Sequence, residues 1–138
     1  MNIFLDANIL VSVVNNEYPL FTYSARVLSL VDHKKYKVFT SPLCLAIAFY
    51  FAEKKNGNAA ALQKIRLLSS KLQITTVDSL VVKKVVTEKQ VHDFEDGMEY
   101  FSAINSNCKC IITQDESDFY FSKIEVLNAQ AFLEKYVL

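Results

Sequence analysis

The 138-residue chain predicts an α/β fold: a three-layer sandwich with a mostly parallel central sheet of about five strands flanked by helices. Three observations lead there. Short apolar runs of strand length alternate with longer runs of helical periodicity through most of the chain. Only 2 Gly and 2 Pro occur in a composition that is 51% apolar, which argues against a disordered or loop-rich chain. No repeat, low-complexity segment or linker divides residues 1–138, so they are expected to form one domain with a core that needs no staples.

The elements follow in order. Asn2 to Asp6 reads as a short buried strand, and Ala7 to Val14 continues as an apolar helix until Asn15-Asn16-Glu17-Tyr18-Pro19 breaks it. From Leu20, the positions Leu20, Tyr23, Val27, Leu30 and Val31 share one helical face, and His33-Lys34-Lys35 supplies the positive charge that a helix end favours. Lys37 to Thr40 is a second strand. Ser41-Pro42 then opens a helix, with serine as N-cap and proline at the first helical position. Leu43 to Ala52 is apolar around the whole wheel, which predicts a largely buried helix.

Glu53 to Gly57 ends that helix, and another runs from Asn58 to about Lys71 with Leu62, Ile65, Leu68 and Leu72 inward. Ile74 to Val77 is a third strand, and Asp78 or Ser79 caps a helix through about Thr87. Asp93 begins the next helix, Cys110 to Thr113 is the fourth strand, and Gln114 to Asp118 a polar loop. Ile124 to Leu127 is the fifth strand, before a last helix from Ala129 to Tyr136.

The 15 basic and 15 acidic residues cancel, so net charge advertises no nucleic-acid partner, although a local patch suffices for one. The lysines and arginines are scattered (Lys34, Lys35, Lys37; Lys54, Lys55; Lys64, Arg66; Lys83, Lys84, Lys89) with no interleaved aromatics, the pattern of a solvated face. Three cysteines, Cys44, Cys108 and Cys110, make an odd count without disulfide spacing, and no second thiol pair completes a zinc site around Cys108-x-Cys110. No cationic stretch leads into an apolar one at the start. The longest apolar run is well short of the roughly 20 residues that span a bilayer. A cytoplasmic protein without membrane contact is expected.

The acidic residues carry the chemistry. Asp6 and Asp115 follow two of the predicted strands, where ligands of open α/β sheets collect, and Asp93-Phe94-Glu95-Asp96 opens a helix. On a wheel of about 100° per residue, Phe94, Met98, Phe101 and Ile104 form the side expected to face the core. Glu95, Glu99 and Ser102 fall toward solvent, and Asp93 and Asp96 on the shoulder beside Tyr100 and Ala103. Aspartates at such places also serve as caps and local turns. Brought together, however, Asp6, Asp96 and Asp115 would raise one another's pKa unless a cation joined them, and hard divalent ions with oxygen ligands fit that need. No Ser-His-Asp order, phosphate-cradling glycine loop or HExxH stretch competes, and His33 and His92 lie outside metal-ligand spacing.

With these residues in view, the chain resembles the PIN-domain family, including the VapC-type toxins. Ile3-Phe4-Leu5-Asp6-Ala7-Asn8-Ile9-Leu10 looks like the family's opening strand and turn. Asp93-Phe94-Glu95-Asp96-Gly97 with Tyr100 and Ala103 is similar to its second acidic motif, and Thr113-Gln114-Asp115-Glu116-Ser117-Asp118-Phe119 to its closing one. The resemblance implies an RNA-cleaving hydrolase using Mg2+ or Mn2+ held by Asp6, Asp96 and Asp115. Asn8, Ser41, Asp93, Thr113 and Asp118 are its implied supporting residues. It also implies RNA as substrate and an antitoxin protein as partner; a homodimer is compatible. In one register the chain departs from the family: Leu45-Ala46-Ile47 puts Ile47 where a glutamate is usual. The alternative function is a catalytically impaired module that binds RNA or a protein partner.

Overall fold

The computed structural model describes residues 1–138. Five strands, β1 (Asn2–Leu5), β2 (Lys37–Thr40), β3 (Gln73–Ile74), β4 (Cys110–Ile112) and β5 (Glu125–Leu127), form one sheet in the order β3-β2-β1-β4-β5. Every pairing is parallel, with Ile3 opposite Val38 on one side and Cys110 on the other. Seven α-helices complete the chain: α1 (Ala7–Val14), α2 (Leu20–Leu28), α3 (Pro42–Asn56), α4 (Asn58–Lys71), α5 (Ser79–Thr87), α6 (Phe94–Asn105) and α7 (Ala129–Phe132). Neighbouring residues of a strand point to opposite faces, yet Ile3, Phe4 and Leu5 are all fully buried. Helices therefore cover both faces of the sheet, as parallel sheets require. None of them is long and apolar enough to cross a membrane.

The strand order has a functional consequence. From β1 the chain steps outward through β2 to β3, then returns to place β4 on the other side of β1. The loops leaving β1 and β4 thus diverge and leave a crevice between their carboxyl ends, where open α/β sheets bind ligands.

Several expectations need correction. Helix α3 is buried along one stripe (Cys44, Leu45, Ala48, Ala52) and not all round; Tyr50 and Phe51 are 53% and 44% exposed. It packs against α1 and α4 and leaves Tyr50 and Phe51 uncovered, so apolar composition overstated its burial. The third strand sits at Gln73–Ile74 rather than Ile74 to Val77. It is a two-residue edge strand that ends as Thr75 donates its backbone N–H to Thr40 O (2.8 Å) and the chain turns to the Asp78 cap of α5. The helix begun at Leu20 tightens to a 3-10 turn over Ser29–Asp32, so His33, Lys34 and Lys35 lie beyond its last turn. Glu116–Phe119 is likewise a 3-10 turn inside the expected loop, and a π-helical turn over Leu133–Val137 finishes the last helix.

Helices α5 and α6 approach closely because Gly97 has no side chain. A Cβ there would stand 2.6 Å from Val85 Cγ1 and 2.7 Å from Val91 Cγ1, contacts that no packing tolerates. Gly97→Ala is expected to cost about 1–3 kcal/mol of stability through overpacking. Urea denaturation of the single variants and the Gly97→Ala/Val85→Ala pair should show the second change relieving the first by about 0.5 kcal/mol or more.

Candidate functional site

Asp6 follows β1 directly and is the N-cap of α1, so the sequence Leu5-Asp6-Ala7 turns strand into helix at the crevice. Its carboxyl group is buried and doubly held: Oδ1 accepts from Ala7 N at 2.6 Å, and Oδ2 accepts from Thr113 Oγ1 at 2.7 Å. Thr113, at the end of β4, distributes bonds in three directions. Its hydroxyl donates to Asp6 and accepts from Asn8 Nδ2 (3.1 Å) and from the backbone N–H of Asp115 (3.1 Å). Asn8 closes the ring, with Nδ2 3.3 Å from Asp115 Oδ2 and Oδ1 accepting from Gln114 N at 3.1 Å. The loops after β1 and β4 are thereby locked to each other.

Helix α6 brings the next wall. Asp93 is its N-cap and accepts from Asp96 N (2.9 Å), while Asp96 is half-buried and close enough to Asp6 and Asp118 to feel their charges. Burial raises the Asp96 pKa to about 7, with the charges of Asp93, Asp6, Asp118 and Glu95 adding to the effect. Asp6 is raised as well: burial outweighs the lowering by Glu99, Thr113 and Ala7, and the Asp115 charge adds to the rise. Asp6, Asp93, Asp96, Asp115 and Asp118 thus share one electrostatic neighbourhood. No lysine or arginine pairs with them; the chain's ion pair joins Lys135 to Glu125 at the start of β5.

Two residues of the site were not expected there. Glu99, placed on the solvent side by the wheel, is 1% exposed, and Ser102 beside it is fully buried. Phe94, expected in the core, is 48% exposed, whereas Glu95 does face solvent. The reason is that the middle of α6 is enclosed all round, from Gly97 to Tyr100, with α5, α3 and the 3-10 turn at Glu116–Phe119 packed against the helix, so no solvent side exists there. Glu99 Oε1 accepts from the thiol of Cys44 on α3 (Sγ to Oε1 3.1 Å). Asp6, Cys44 and Glu99 form a buried trio whose ligand-type atoms all lie within 4.8 Å of one another.

Burial first, and the Asp6 charge second, push the Glu99 pKa up to about 10. The Cys44 thiol is raised well above its usual value, by burial and then by Glu99 and Asp6. The three-residue spacing of Asp93, Asp96 and Glu99 was a weak signal for Glu99, since each step of three drifts about 60° round the helix and a wheel alone sets Glu99 apart from Asp93.

Ser41 spends its buried hydroxyl as the N-cap of α3, accepting from Cys44 N at 3.0 Å, and so positions the Cys44 turn. Ile47, one turn further, packs against the core, and α3 offers no carboxylate near Asp6.

A parallel α/β domain with a carboxylate cluster at its topological switch point is the class that fold and site define. The PIN domain family model matches residues 2–117, most of the chain, and the chain belongs to that family. It is similar to Ribonuclease VapC1 of Aquifex aeolicus (strain VF5), at 27% identity over 138 residues covering 97% of this chain and 94% of the relative. Among solved structures it is similar to VapBC2 of Rickettsia felis bound to a DNA fragment from its promoter. That match has TM-score 0.69 and 19% identity, and covers 93% of this chain and 98% of the other. It is also similar to VapC20 of Mycobacterium tuberculosis, a sarcin-ricin loop cleaving toxin, with TM-score 0.67 and 18% identity, covering 89% and 98%.

Two measurements probe this site. A carboxyl whose pKa is raised from 3.8 to about 7 binds its proton more tightly when folded, so its contribution is complete at acid pH and is lost as pH rises through the folded value. The melting temperature of metal-free protein should therefore fall between about pH 4 and pH 7, with a shallower fall in Asp96→Asn. Thr113→Val, which removes the donor to Asp6 and the acceptor for Asp115 N, should lower stability by about 1–3 kcal/mol in chemical denaturation.

Proposed function

We propose that the chain is a divalent-metal-dependent ribonuclease that hydrolyses RNA phosphodiesters, the toxin of a toxin–antitoxin pair. The observation that carries the reading is the surplus of unpaired carboxylates around Asp96, whose pKa is raised to about 7 by burial first and then by the charges of Asp93, Asp6, Asp118 and Glu95. Such a cluster is matched chemically to Mg2+ or Mn2+, whose ligands are carboxylate oxygens and water. In this reading Asp6, Asp96 and Asp115 hold the ion. When bound, it supplies water activation at neutral pH and neutralisation of charge building on the phosphoryl oxygens.

The chain's own residues do the rest. Thr113 and Asn8 fix the rotamers of Asp6 and Asp115, so that both acids are pre-aligned before substrate arrives. Asp93, as cap, holds the first turn of α6 and with it Asp96. Asp118 contributes charge at Asp96 from the loop after β4. The toxin assignment draws on the relative named Ribonuclease VapC1 and on the similarity to the Rickettsia VapBC2 structure, and its partner in this reading is a small antitoxin protein.

One observation favours a second reading, a catalytically impaired module that binds RNA or protein: α3 carries Ile47 in place of an acid. A single assay separates them. Purified protein incubated with RNA in Mn2+ should cleave it, with cleavage abolished by chelator and reduced by about two orders of magnitude or more in Asp96→Asn. Intact RNA together with metal-independent retention of RNA or of a protein partner would establish the impaired module instead.

A further inference from the structure

We propose that Asp6, Cys44 and Glu99 form a binding site for a thiophilic divalent cation of the zinc class, at the buried end of the acidic crevice. The inference rests on the reading that Asp6 is a metal ligand and extends it to two residues, one from α3 and one from the second turn of α6. The first support is the donor set itself: one thiol and two carboxyls from three separate elements converge, their ligand atoms within 4.8 Å of one another. Three ligands around a tetrahedral ion with Zn–S and Zn–O distances of about 2.3 and 2.1 Å stand roughly 3.5 Å apart, so little movement is required.

The second support is independent. Glu99 Oε2 is buried without a hydrogen-bond donor, although Glu99 is almost completely enclosed. A buried carboxyl oxygen left unpartnered costs about 1–3 kcal/mol or more, a cost that a core position would shed by accepting an apolar residue. The Asp6 carboxyl, another acceptor, belongs to the same cluster, its ligand atom within 4.8 Å of those of Glu99 and Cys44. Between two carboxylates only a shared proton or a cation is stabilising.

The sulfur decides the class of ion. An all-oxygen site favours Mg2+ or Mn2+, whereas a thiolate selects softer ions such as zinc. Binding releases the thiol proton of Cys44 and any proton on Glu99 to solvent, and the thiolate and carboxylates become ligands without change of oxidation state. Three protein ligands leave a fourth position for water or a substrate oxygen. The thiol is already in place, with Sγ 3.1 Å from Glu99 Oε1, and Ser41 holds the turn of α3 that carries it.

The test uses Co2+ as a spectroscopic probe on the intact chain. Wild-type protein should take up one equivalent with a near-ultraviolet thiolate-to-cobalt charge-transfer band, and Zn2+ should displace it at far lower concentration than Mg2+. Cys44→Ser should abolish the band, and Glu99→Gln should weaken Co2+ binding by at least the 10–100-fold known for lost supporting groups. Asp115→Asn should leave the band intact. Thermal melts of the metal-free variants check that each is folded, and the wild-type spectrum tests the proposal without any variant. Cobalt binding without the band, lost in Asp115→Asn but unchanged in Glu99→Gln, overturns this proposal and leaves the oxygen-ligand nuclease site standing. Failure of any divalent ion to bind overturns both.

Discussion

The arrangement at the sheet's carboxyl edge depends on keeping one carboxyl group, that of Asp6, buried and correctly aimed. Burying an ionisable acid is costly unless its oxygens find partners. The chain meets that cost by placing Asp6 where strand becomes helix. The first N–H of α1 serves one oxygen and the Thr113 hydroxyl the other. Because Thr113 also accepts from Asn8 and from the Asp115 backbone, satisfying Asp6 simultaneously organises both loops of the crevice. The strand order supplies the meeting point, since β1 and β4 are neighbours whose chains leave in different directions.

Helix ends add a second, diffuse contribution. Asp6, Ser41 and Asp93 are the N-caps of α1, α3 and α6, so three helices begin at residues of the site or beside it. Each N-terminus carries partial positive charge and free N–H groups, which favour carboxylates nearby. The acids are therefore tolerated without a lysine or arginine among them, and the negative potential remains available to a cation. Capping and metal binding, which looked like alternatives at the level of sequence, are compatible uses of the same residues.

The sequence made most of this legible. Alternating periodicity indicates the parallel sheet, and Ser41-Pro42, Asp78 and Asp93 mark helix starts that the structure retains. The aspartates at strand ends point to the crevice because strand direction and parallel topology together put those ends at one edge. What stayed hidden had a common cause. Wheel arguments assume one buried side and one wet side, and α6 is wrapped in its middle while α3 is only half covered. A wheel consequently points Glu99 to water, and Tyr50 and Phe51 to the core. Cys44 was invisible as a site residue because its neighbours in space, Asp6 and Glu99, are remote in sequence. Spacing rules for thiols detect pairs within a segment and miss a lone thiol completed by other elements.

The close seat of α6 on α5 has a consequence for how such a site changes over time. Asp96 and Glu99 flank Gly97 on a helix whose rise of about 1.5 Å per residue fixes their separation. Gly97 in turn is pressed against Val85 and Val91. Neither acid can drift without carrying the other and dislodging a packed neighbour. Variation that retunes the crevice for a different ion or substrate is thereby channelled into its opposite bank, the loops after β1 and β4. There Glu116 to Asp118 are exposed and lie outside the side-chain ring of Thr113 and Asn8, so a substitution at one of them leaves that ring in place. One bank of the site is conservative by construction; the other is where diversity can accumulate.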